Sequence, residues 1–179
     1  MRGLILTCFS VFLLGVAAAS SAATADLTQE QRARIETALL RELAPDVGVF
    51  DYVAFQLDAK GTVTLLGQVR ESTLKSHTEA DAKKIEGVER VRNEIEILPP
   101  SPTDDEIRRA MYNAIYSQTG FTRYTLQAVP PVHIIVKNGA VRLEGAVATK
   151  LEYAQLEAAT KGVPGVFGFK NNVRIDAED

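Results

Sequence analysis

Histidine and cysteine, the side chains that most often serve as base, nucleophile or metal ligand, are sparse along this chain. His77 and His133 are its only histidines, and neither has a nearby partner at metal-ligand spacing. Cys8 is the only cysteine and sits in the apolar N-terminal stretch, so a thiolate site or a disulfide is not expected in the mature protein. Asp104, Asp105 and Glu106 crowd carboxylates that in another setting would ligate a cation or shuttle a proton. Here they open a helix, where carboxylates meet the positive end of the macrodipole. Glu86, Glu89, Glu94 and Glu96 read as a solvated helix end and strand, and Gly162, Gly165 and Gly168 surround a proline turn rather than a phosphate loop. No catalytic residue, metal or cofactor is expected.

One stretch has a different character. Arg108, Arg109, Tyr112, Tyr116, Arg123 and Tyr124 mix basic and aromatic side chains. Arg108, Tyr112 and Tyr116 recur every fourth residue, which puts them on one helical flank beside the apolar stripe Ile107, Ala110, Met111, Ala114 and Ile115. Tyrosine and arginine each join an apolar body to a polar end, which suits an anionic phospholipid headgroup region. The competing expectation is that the tyrosines roof a core or a contact between halves of the molecule.

The halves are visible in the chain itself. Gly61, Val63, Leu65, Gly67, Val69, Gly87, Val88, Asn93 and Ile97 recur without a gap as Gly139, Val141, Leu143, Gly145, Val147, Gly165, Val166, Asn171 and Ile175. A period this long marks a repeated small domain rather than a solenoid unit. Residues 1–25 carry Arg2, an apolar run and a small-residue site at Ala23-Thr24-Ala25, the pattern of a cleaved signal peptide. Residues 26–98 form the first copy, 99–102 a Pro-rich linker and 103–179 the second copy. Export without disulfides fits a bacterial periplasm, with an extracellular destination left open. The formal charge of -3 falls to -4 once Arg2 is lost, and no Lys/Arg run occurs, so nucleic acid is not an expected partner.

Each copy reads as α-β-β-α-β. Thr28 with Gln31, Thr103 with Glu106, and Thr149 with Glu152 predict capping boxes. Lys60-Gly61 and Asn138-Gly139 predict tight hairpin turns, flanked by strands over 52–58 and 62–69, then 132–137 and 140–147. Thr78, Ala82 and Ile85 correspond to Leu156, Thr160 and Val163 as the inner ridge of the second helix. Final strands are expected over 91–98 and 167–175. A strand, helix and strand in sequence require a right-handed crossover. The expected fold class is α+β: two tandem sandwiches, each a three-stranded mixed sheet with two helices on one face.

The run Gly67-x-Val69, a helix, then Ile85-x-Gly87-Val88-x-x-Val91-x-Asn93, and its echo Gly145-x-Val147, a helix, then Val163-x-Gly165-Val166-x-x-Phe169-x-Asn171, resemble the BON domain of bacterial osmotically induced and nodulation proteins. Pro164 and Phe169 make the second copy slightly irregular. The resemblance implies a non-enzymatic periplasmic protein for envelope maintenance or osmotic-stress protection, with anionic phospholipid surfaces or other envelope proteins as partners. A periplasmic chaperone or protein-interaction module that takes client strands at its sheet edges is the alternative.

Overall fold

The computed structural model describes residues 26–176 apart from residue 128. The expected signal peptide lies outside the described residues. In the first copy, the Thr28 N–H donates to Gln31 Oε1 at 2.9 Å and the Gln31 N–H to Thr28 Oγ1 at 3.2 Å, a capping box that opens α1 (Gln29–Leu43). β1 (Tyr52–Leu57) and β2 (Thr62–Val69) form an antiparallel hairpin. The connection is one residue longer than a tight turn. Asp58 Oδ1 accepts from the N–H groups of Lys60 and Thr62, each at 2.8 Å, so an aspartate side chain closes a loop over 59–61.

α2 (Ser72–Lys84) then crosses over to β3 (Arg90–Asn93) and β4 (Glu96–Ile97), both parallel to β2. One continuous final strand was expected, and Asn93 divides it. Its Oδ1 accepts from the Ile95 N–H at 3.2 Å while the Glu94 N–H reaches back to the Leu65 carbonyl at 2.9 Å. That local turn leaves Ile95 buried among Ile35, Leu39, Val63, Leu65 and Ala82. Because the apolar row Val63, Leu65 and Val69 of β2 meets residues of both helices, α1 and α2 cover the same face of the sheet.

The second copy repeats the plan with α3 (Pro102–Tyr116), β5 (Val132–Lys137), β6 (Ala140–Val147), α4 (Lys150–Thr160), β7 (Gly168–Asn171) and β8 (Arg174–Ile175). The order across its sheet is β5-β6-β7, with β8 also on β6, so β6 is the central strand as β2 is in the first copy. α3 starts earlier than the expected Thr103 cap. Ser101 Oγ accepts from the Asp104 N–H at 3.2 Å, and Pro102 is the first helical residue. A missing N–H costs nothing at that position, and the fixed φ of proline already suits the helix. Thr149 and Glu152 make the expected box on α4. Asn171 divides the last strand as Asn93 does, accepting from the Val173 N–H at 3.1 Å.

The Asn138-Gly139 turn has φ of 52° and 73°, the positive pair that a two-residue hairpin requires. Gly87-Val88 and Gly165-Val166 follow the second helices, and each valine packs against the core of its own copy. The molecule is therefore α+β, two tandem sandwiches with mixed sheets, each central strand pairing with a hairpin partner on one side and a divided crossover strand on the other.

Candidate functional site

The Arg/Tyr flank of α3 is not a solvent face. Arg108 is 3% exposed and Tyr116 4% exposed. Tyr116 Oη donates to the Val132 carbonyl at 2.6 Å, and Arg108 donates to the Val136 carbonyl at 2.5 Å, so both side chains reach under the helix to β5. Burial pushes the Tyr116 hydroxyl far above the ordinary tyrosine range.

The connection after α3, longer between Tyr116 and Val132 than its counterpart between Leu43 and Tyr52 in the first copy, completes the cover. It carries Phe121, fully buried, through a 3₁₀ turn at Thr122–Leu126. The Tyr116 ring meets Phe121 edge-on at 6.3 Å, and Phe121 meets Tyr124 at 5.7 Å. Tyr124 Oη donates to the buried Glu152 carboxylate at 3.2 Å, and Arg123 bonds both Tyr124 Oη and Glu152. Tyr112 is half-buried, stacked on Tyr116 at 4.8 Å and meeting Phe50 of the first copy edge-on at 6.1 Å. The structure thus gathers Tyr112, Tyr116 and Tyr124 into a roof over the core, with Arg108 below and Arg123 at its margin. Of the six expected contact residues only Arg109, on α3, and Arg123, at the margin of the roof, are exposed.

The two copies meet through the segment before β1 and through their helix-free sheet faces. The Ile134 N–H donates to the Val49 carbonyl at 2.7 Å, so the outer edge of β5 is occupied there by the first copy rather than open to a client strand. Val49 and Phe50 pack against the core of the second copy. Across the seam, Arg142 donates to Gln68 Oε1 at 2.6 Å and Lys137 pairs with Glu96. The hydrogen bonds from Lys137 and then Gln68 hold the Glu96 carboxyl below its usual value.

His133 lies buried in this seam, 5.7 Å from the Tyr52 ring, with Asp51 and Glu144 nearby. Its Nδ1 is 3.0 Å from the Gly48 carbonyl, an acceptor, so that nitrogen carries the proton in the neutral ring. Burial lowers its pKa from 6.5, outweighing the Gly48 carbonyl and the neighbouring carboxylates, which act the other way. A lowered folded value means the unfolded chain takes up the proton first. His133 therefore contributes stability that is fully present above the ordinary value of about 6.5 and is lost as pH falls below it toward the folded value. Equilibrium denaturation is expected to show stability declining as pH falls below about 6.5, with a shallower slope in His133→Gln. Identical slopes for the two proteins would refute this assignment.

The exposed apolar surface lies elsewhere in the second copy. Phe167, in the turn between α4 and β7, is 88% exposed, and Phe169 on β7 is 40% exposed. The Phe167 N–H donates to the Gly139 carbonyl at 2.9 Å, and its ring lies against the Asn138-Gly139 turn. From Lys161 to Asn172 the chain holds Lys161 and Lys170 and no acid. The corresponding turn of the first copy holds Glu86 where the second has Pro164, and Glu89 where it has Phe167. The four-residue period of the α3 flank does not extend to this turn. The available signal was the mismatch between the copies at Glu89 and Phe167.

Among the described residues no group of His, Cys, Asp and Glu side chains could hold a metal ion, and no helix is long and apolar enough to cross a membrane. A family model described as "BON domain" matches the chain twice, over residues 30–99 and 103–177. No curated protein matches it. Similar solved structures include the C-terminal domain of CdsD, the structural protein of the type III secretion system of Chlamydia trachomatis, at 16% identity and a TM-score of 0.32. That match covers 84% of this chain and 66% of the other, just under two thirds of its length. A second CdsD structure from the same organism matches at 13% identity and a TM-score of 0.33, over 81% of this chain and 93% of the other.

Proposed function

The chain belongs to the BON-domain family, and from that premise we propose that it is a non-enzymatic periplasmic protein that contacts anionic phospholipid surfaces in the service of envelope maintenance or osmotic-stress protection. The observation that carries the reading is the α4–β7 turn of the second copy, where Phe167 stands 88% exposed between Lys161 and Lys170 with no acid in the segment. A large aromatic held in water gains free energy on entering the boundary between headgroups and acyl chains, and flanking lysines favour a negatively charged leaflet. The matching segment of the first copy sets Glu86, Glu89 and Glu94 among Lys83, Lys84, Arg90 and Arg92 and has Glu89 in place of Phe167, so it offers such a surface no aromatic and a mixed charge. Contact is therefore made by one end of the second copy, in place of the buried α3 flank.

Co-sedimentation with phosphatidylcholine vesicles, with and without phosphatidylglycerol, tests this. Binding is expected to the anionic vesicles. Phe167→Ser is expected to weaken it about thirtyfold, from the roughly 2 kcal/mol that burying one phenylalanine side chain contributes. Absence of wild-type binding to both vesicle types would sink the reading.

A further inference from the structure

Beside the Phe167 turn, the helix-free face of the second sheet forms a cleft of about 350 Å³ whose lining includes Gln68, Ile135, Lys137, Arg142, Phe169 and Lys170 and no acidic residue. Pairing of β6 with β7 sets Arg142 directly opposite Lys170. Like charges in that register repel and destabilise a sheet. The first copy avoids the conflict, since its equivalent pair is Thr64 opposite Arg92. Lys137 is paired with Glu96, and Arg142 Nε lies 2.6 Å from Glu144. Lys170 is exposed and has no ion-pair or hydrogen-bond partner among the described residues. Two carboxylates thus answer two of the cations, and the third positive charge stands where it repels Arg142.

We propose that this cleft binds the phosphate of an acidic phospholipid headgroup, with Arg142 and Lys170 sharing the anion and Lys137 at the rim. The inference rests on the lipid-contact reading above and assigns it a headgroup subsite. An anion between Arg142 and Lys170 turns their repulsion into a shared attraction. The apolar walls Ile135 and Phe169, and the adjoining Phe167, suit a phosphate that is tethered to acyl chains.

Lys170→Gln and Lys170→Glu test the site on the full mature chain. Affinity for vesicles containing phosphatidylglycerol is expected to fall about fivefold in the first and about thirtyfold in the second, following the contribution of one surface cation to binding an anionic leaflet. The melting temperature of Lys170→Glu in lipid-free buffer is expected to rise, because the new carboxylate pairs with Arg142. A purely structural role for Lys170 predicts no such opposition between stability and binding. In NMR titrations, soluble dihexanoyl phosphatidylglycerol is expected to shift the Gly168, Lys170 and Arg142 amides at concentrations where inorganic phosphate does not. Wild-type affinity in Lys170→Glu, alongside weakened binding in Phe167→Ser, would overturn the headgroup site and leave the lipid surface standing. Equal amide shifts with inorganic phosphate would make it a general oxyanion site and overturn the lipid assignment. Absence of wild-type binding to any vesicle would overturn both.

Discussion

Gly145→Ala is expected to unfold the second copy. Gly145 has φ of 116°, where an L side chain is rarely found, and a Cβ there would lie 2.0 Å from the Pro131 carbonyl oxygen and 3.0 Å from its carbon. Neither atom has freedom to retreat, because Val132, the next residue, is paired with Gly145 itself as β5 begins. Accommodation requires pulling the start of β5 off β6, and β5 carries Val132, Ile134 and Val136 of the core. Combined backbone strain and overlap cost about 4 kcal/mol or more, comparable to the whole stability of a small domain. Thermal denaturation followed by circular dichroism is expected to show a melting temperature lower by about 15 °C or more. A melting point within about 3 °C of the wild type would mean that the strands part without cost, contrary to this account. Gly67 in the first copy is in the same position, with φ of 130° and the Tyr52 carbonyl oxygen 2.0 Å from its would-be Cβ.

Asp104→Ala is expected to be the next most damaging change, by about 3 kcal/mol. The Asp104 carboxylate is buried and accepts from the N–H groups of Asn138 at 2.9 Å and Gly139 at 2.8 Å, tying the first turn of α3 to the β5–β6 turn. Alanine leaves both donors without their acceptor, one of them buried, and an unmade buried hydrogen bond costs more than a made one contributes. Asp104→Asn keeps one carbonyl oxygen and is expected to fall between the two. Urea titration measures the series, and equal stability of the alanine and wild-type proteins would show that water replaces the carboxylate freely.

Asp104 also marks where the sequence was legible and where it was not. Its place in the first turn of a helix was readable from Pro102 and the acidic run, and its bonds to a turn far along the chain were not. The same division runs through the fold. Asn138-Gly139, the boxes at Thr28 and Thr149, and the repeated glycines are local signals, because turn and cap chemistry is decided within a few residues. The spacing of Arg108, Tyr112 and Tyr116 correctly put them beside the core stripe. It carried no information about what lies over that flank, which is the connection bearing Phe121 and the ring of Phe50 from the other copy. Asn93 and Asn171 were recognised as part of a motif, but a side chain that accepts from an N–H two residues later breaks a strand without disturbing its apolar pattern. Phe167 escaped notice because an exposed aromatic belongs to no period. Arg142 and Lys170 became neighbours only once the register of β6 and β7 was known.

The bond from the Ile134 N–H to the Val49 carbonyl means that the duplicated units have ceased to be interchangeable. Every residue of β5 from Val132 to Val136 is buried, on one face by its own core and on the other by the first copy. Severed from its neighbour, the second unit would present a flat apolar strand with an unpaired edge, the arrangement through which sheets polymerise. The first unit thus serves the second as a built-in escort.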